Sequence, residues 1–144
     1  MVINTDIKND KRYDFKKLAT LIVEDYYKLE NIILNIQYND TVCNHFSTDD
    51  IAINAILDKQ KTPHMYNLII REYTSLKEVI CHEMTHLYQY EIGDLKLNKF
   101  EDKMVFEYKG IEYDPSTPYE DRPWEVEAKG LQNKLWKKYK QECS

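Results

Sequence analysis

Apolar residues recur along the chain with two different periods, and the switches between them divide it into elements. From about Asp14 to Leu29, Phe15, Leu18, Ala19, Ile22 and Tyr26 fall on one side at helical spacing. Ile32 to Tyr38 alternates instead, with Ile32, Leu34 and Ile36 set against Ile33, Asn35 and Gln37, which predicts a strand. Asn39 to Asp50 is polar and reads as a loop. Ile51–Leu57 and Met65–Ile70 predict two further strands around a turn containing Pro63.

The best-defined element follows. Ser75-Leu-Lys-Glu78 has the form of a capping box, in which the serine side chain accepts from the third amide while the glutamate reaches back. It announces a helix running to about Ile92, stopped by Gly93, with Leu76, Ile80, Met84 and Leu87 as its apolar stripe. Lys103–Lys109 and Ile111–Tyr113 predict a small hairpin turning at Gly110, and Asp114–Pro118 a loop with two prolines. A last helix is expected to start near Asp121-Arg122-Pro123, with an acidic cap and an early proline. It runs to about Lys140 and turns Trp124, Ala128, Leu131, Leu135 and Tyr139 to one side.

With no repeat, linker or low-complexity tract, residues 1–144 read as a single α+β domain, a length that supports one core. The hydrophobic share of 42% suffices for that core, and the twelve tyrosines are expected mainly in packing. A net charge of −5, with basic residues gathered only at Lys137, Lys138 and Lys140, argues against nucleic acid as a partner. No apolar leader or 18-residue apolar run is present, which argues against a membrane partner. Cys43, Cys81 and Cys143 are odd in number and form no CxxC pair, so a reduced, cytoplasmic setting is expected. Oligomeric state has no signature in the chain.

The chemistry concentrates in His82-Glu83-Met84-Thr85-His86, an HExxH sequence inside the capped helix. Four-residue spacing stacks both imidazoles one turn apart on one side, where their nitrogens can meet one ion. Glu83 lies about a third of a turn away and can reach a water at that ion without itself ligating. This pattern points to Zn²⁺ held by His82 and His86, with Glu83 as the catalytic base of a hydrolase acting on a protein or peptide; the alternative is a non-catalytic zinc-binding interaction module of the same fold. Cys81 points elsewhere on the wheel.

A catalytic zinc needs a third protein ligand. His45 and His64 lie in predicted loops, so the candidates are Glu125 and Glu127 on the last helix. Two residues apart, they diverge by roughly 200°. Each sits at an edge of the apolar face, and the wheel does not choose between them. Tyr113 and Tyr119 are candidates to stabilise the oxyanion, although packing is the more ordinary use of either. Arg122 is expected to pair with Asp121 or Glu125.

HExxH followed on a later helix by Glu125-Val-Glu-Ala128 resembles the gluzincin-type metallopeptidases, the ImmA/IrrE group among them. The segment Tyr119–Ala128 is also similar to small metallopeptidases of phages and their hosts. The resemblance covers the chain from about Met65 onward. It implies a minimal zincin-like domain: an N-terminal helix, a small mostly antiparallel sheet, the HExxH helix, a hairpin insertion and a C-terminal helix bearing the third ligand. It further implies Glu125 as that ligand, with Ala128 allowing close helix packing. Two departures stand out: Lys129 follows Ala128 where those groups carry Asp or Asn, and a hairpin lies within the step of 39 positions from His86 to Glu125.

Overall fold

The computed structural model describes residues 1–9, 11–49, 52–100 and 103–144. It has an α+β architecture with two sheets. Strand β1 (Val2–Thr5) is followed by helix α1 (Phe15–Thr20), which passes directly into a π-helical stretch, Leu21–Tyr26. Asp14 caps α1, its carboxylate accepting from the Lys17 amide at 3.0 Å. Strand β2 (Ile33–Tyr38), helix α2 (Asp40–Phe46), and strands β3 (Ala55–Lys59) and β4 (Met65–Ile70) complete the first half. The chain then forms α3 (Leu76–Glu91), strands β5 (Leu95–Phe100), β6 (Lys103–Tyr108) and β7 (Ile111–Tyr113), a 3₁₀ turn at Tyr119–Asp121, and α4 (Pro123–Cys143).

The main sheet has the order β1-β2-β4-β3. Mostly antiparallel pairing, expected from the sequence, holds for β3 on β4 and for the second sheet, β5-β6-β7, but not for the centre of the main sheet. There β1, β2 and β4 run parallel, with Val2, Ile33 and Met65 in register. The intervening helical segments supply the crossovers that parallel pairing requires. The alternation of β2 and β4 turns Leu34, Ile36, Tyr66, Leu68 and Ile70 inward against Phe15, Leu18 and Ile22 of the first helical segment and Ile80, Met84 and Leu87 of α3. Met65–Ile70 is an interior strand; the edge belongs to β3.

Other boundaries differ from expectation for identifiable reasons. Asn39–Asp50 is not all loop: Asn39 accepts from the Val42 amide at 3.1 Å and starts α2, which buries only Cys43 and so carries almost no apolar signal. The strand expected at Ile51–Leu57 spans Ala55–Lys59, and Ile51 lies outside the described residues. Ser75 stands at the α3 N-cap, but its side chain makes no capping bond. Instead the Tyr13 hydroxyl accepts from the Lys77 amide at 3.0 Å, a long-range substitute for the expected capping box. Arg122, not an acid, occupies the α4 N-cap ahead of Pro123. Lys109 (φ 51°) and Gly110 (φ 83°) form the two-residue turn joining β6 to β7, with the paired positive φ angles of a type I′ hairpin.

Candidate metal centre

Helix α3 buries residues around most of its circumference. Leu76, Ile80, Met84 and Leu87 enter the main core, while Glu83 and His86 are buried on the side facing α4 and a cleft. Helix α4 lies against it, with Trp124, Ala128 and Leu135 buried. Ala128 is fully buried, as expected where a small side chain lets two helices approach.

This packing brings His82, His86 and Glu125 together. The two Nε2 atoms are 3.1 Å apart, with the rings nearly perpendicular at 79°. Glu125 spans them, Oε2 lying 3.0 Å from His82 Nε2 and Oε1 2.8 Å from His86 Nε2. Donors around a tetrahedral ion at about 2.0–2.1 Å stand about 3.3–3.4 Å from one another. A few tenths of an ångström of spreading would therefore admit zinc, and two imidazoles with one carboxylate suit it chemically. Among the described residues, no other His, Cys, Asp or Glu joins this cluster.

Glu127, the alternative third ligand, lies outside the cluster. Its Oε1 accepts from Gln89 Nε2 and its Oε2 from the Tyr108 hydroxyl, each at 3.1 Å. His64 pairs with Glu91 at the far end of α3, and His45 lies edge-on to Phe46 on α2. Cys81 is buried in the main core. Of the two tyrosines, Tyr119 reaches the site, its hydroxyl 3.3 Å from His82 Nε2. Tyr113 does not: it packs edge-on against Trp124, with ring centroids 5.3 Å apart. Arg122 pairs with neither Asp121 nor Glu125. Its guanidinium donates to the carbonyls of Thr117 and Pro115, at 3.0 and 3.4 Å, and so closes the two-proline loop.

Two side chains without a motif complete the surroundings. Gln89 Oε1 is 2.8 Å from His86 Nδ1, and Gln132 Oε1 is 3.2 Å from His82 Nδ1. The first was accessible in principle, because Gln89 is three residues after His86 on the same helical face. The second depends on how α4 docks and has no local signal.

Charge and burial compete at this site. Burial opposes a charge on His86, but its hydrogen bond to Glu125 and the nearby Glu83 outweigh that and hold its pKa at about 9. Glu125 is pulled the other way: burial alone would raise it, but hydrogen bonds from His82 and His86 hold it well below the usual carboxylate range. Glu83 is raised, chiefly by burial, with the histidines opposing and Glu125 adding to the rise. Tyr119 is pushed up, by burial first and then by Glu125, so its hydroxyl keeps its proton.

The cluster opens into a cleft of about 660 Å³, within the range of ligand sites. One wall is β3 and the residues before it, from Ile53 to Leu57; the other is formed by Val79, Leu95, Phe106 and Trp124. Glu83 and Tyr119 both line it. No helix among the described residues is long and apolar enough to cross a membrane. The chain matches no family model, no curated protein and no solved structure.

Proposed function

We propose that this chain is a zinc-dependent metallopeptidase of the gluzincin type, hydrolysing a peptide bond in a protein or peptide. The observation that carries the reading is the convergence of His82, His86 and Glu125 beside a buried glutamate, Glu83, in an open cleft. His82, His86 and Glu125 would hold the ion. Zinc bound there would acidify a water toward a pKa of about 7 and polarise the scissile carbonyl.

Glu83 accepts a proton from the attacking water as its oxygen adds to the carbonyl carbon. It then delivers that proton to the amide nitrogen as the C–N bond breaks. Its raised affinity for protons suits both halves of the transfer. Tyr119, protonated and beside His82, donates a hydrogen bond to the developing oxyanion. The outer edge of β3 offers main-chain groups to an extended substrate, which would pair with it as an added strand and present its carbonyl to the cluster. Three protein donors would hold an ion there while leaving room for solvent or substrate, the arrangement of catalytic rather than closed structural sites. A cytoplasmic location accords with Cys43, Cys81 and Cys143 being free thiols.

The test combines metal analysis with one substitution. The purified chain is expected to take up close to one equivalent of zinc and to cleave a peptide library. Glu83→Gln should keep the zinc and the thermal transition while losing about 10²–10⁴-fold in turnover. Full activity in Glu83→Gln, or no zinc uptake by the native sequence, would refute the reading.

A further inference from the structure

We infer that Gln89 is the positioning residue of the site and that Glu127 and Tyr108 lock its amide in one orientation. The inference rests on the zinc reading and concerns residues that reading does not use. Gln89 is 1% exposed, so each of its polar atoms needs a partner inside the protein. Its Nε2 lies 3.1 Å from the Trp124 carbonyl oxygen and 3.1 Å from Glu127 Oε1. A carbonyl and a carboxylate can only accept, so the amide nitrogen must face them, and its oxygen must face His86. That oxygen, 2.8 Å from His86 Nδ1, can itself only accept. Nδ1 therefore keeps its proton, so an ion would displace the proton that Nε2 gives to Glu125 and meet the Nε2 lone pair turned toward His82 and Glu125.

Flipping Gln89 would bury two N–H groups against His86 Nδ1 and set its oxygen against two acceptors. It would also drive the ring proton to Nε2, the form that cannot ligate. Two acceptors oppose the flip together: the Trp124 carbonyl, fixed by the helix backbone, and the Glu127 carboxylate. Glu127 has one oxygen on Gln89, and its other accepts from Tyr108 on β6 at 3.1 Å. The hairpin thus acts on the site through four side chains in series: Tyr108, Glu127, Gln89 and His86. Glu127, two residues from Glu125 on the same helix, has a role distinct from ligation.

The experiment measures zinc affinity by competition with a chromophoric chelator and, separately, the imidazole N–H signals of ¹⁵N-labelled zinc-loaded protein. The native sequence should show a slowly exchanging His86 Nδ1 proton. Gln89→Met, similar in shape but unable to accept that bond, should lose the slow signal and bind zinc about 10–100-fold more weakly. Glu127→Gln can still accept from Gln89 and should stay within about threefold of the native affinity, whereas Glu127→Leu should fall at least about tenfold. Circular dichroism of the metal-free variants reports folding. Should Gln89→Met not fold, the Glu127→Gln and Glu127→Leu pair makes the same discrimination. Native-like affinity and an unchanged Nδ1 signal in Gln89→Met would overturn the inference, as would equal losses in the two Glu127 variants. Either result would leave the zinc reading standing. A native chain that binds no zinc at all would remove both.

Discussion

The core between the main sheet and α1, α3 and α4 is filled mostly by aliphatic side chains, with Leu34, Leu68, Ile70, Ile80 and Leu87 all fully buried. The cluster beneath the hairpin is small and largely aromatic: Leu95, Tyr108 and Trp124 are buried, with Tyr90, Phe106 and Tyr113 half-covering them. The first region resists opening through many close contacts of irregular shape. The second depends on a few rings around Trp124, with centroids 5.0–5.9 Å away, and on the hydroxyl bond from Tyr108 to Glu127. The candidate metal centre lies at the seam between them. Its histidines stand on a helix rooted in the larger core, while its carboxylate follows Trp124, the centre of the smaller one. A rigid half and a looser half are thus joined at the candidate metal centre.

The largest expected effect comes from breaking the rigid half. Leu68→Ala, in the interior strand β4, should cost about 3–4 kcal/mol and lower the whole thermal transition in one step. A loss below about 1 kcal/mol would mean that the two regions are not as unequal as described.

The seam itself responds to pH. In the metal-free chain His86 titrates at about 9, above its ordinary 6.5, so its proton stabilises the folded state fully below pH 6.5 and that contribution fades as pH rises through 9. Glu125 has the opposite sign: it is depressed, so its contribution is present above its ordinary 4.5 and is lost as the pH falls below that. On the proposed reading, zinc would compete with the His86 proton. Affinity should therefore rise about tenfold per pH unit from pH 7 and level off near 9. Zinc titrations at unit steps check this; an affinity independent of pH would contradict the His86–Glu125 pairing.

The smallest effect probes the looser half. Phe106→Ala should lower the local opening free energy of β5–β7 by about 1–1.5 kcal/mol, since a half-buried ring contributes about half of a buried one. The transition of the main core should barely move. Amide hydrogen exchange would show faster exchange confined to the hairpin. Equal acceleration in β2 and β4 would show a single cooperative unit instead.

What the sequence reveals follows the same division. The stripes of α3 and α4 and the alternation of β2 and β4 were legible because one face of each is buried in the aliphatic core. Strand β5 was not: Leu95 and Leu97 alternate with Lys96 and Asn98, but four residues of pattern just after a helix stop are too few to stand out. Strand order was also hidden, because parallel pairing joins Val2, Ile33 and Met65 across distances that no local period records. At the site, HExxH spacing was sufficient to bring the two histidines to one place. The choice between Glu125 and Glu127 was not available from a wheel on which both flank the apolar face. It depends on how α4 docks, with Trp124 and Ala128 inward, and docking is a tertiary property. Gln132 has no local signature, and the i,i+3 spacing of Gln89 places it beside His86 without fixing which way its amide faces, which depends on Trp124 and Glu127.

The π-helical stretch at Leu21–Tyr26 adds one residue to a turn, as the bond from the Tyr27 amide to the Ile22 carbonyl at 3.0 Å records. That extra residue sets the azimuth at which Tyr27 leaves the helix. Its hydroxyl meets Thr85 at 2.7 Å, and its ring stacks on Tyr88 with centroids 4.1 Å apart. A substitution that let the same residues wind as an ordinary α-helix would swing Tyr27 by about 100°. The flank of α3 beside His86 would then be stripped of its aromatic buttress, a change visible in near-ultraviolet circular dichroism.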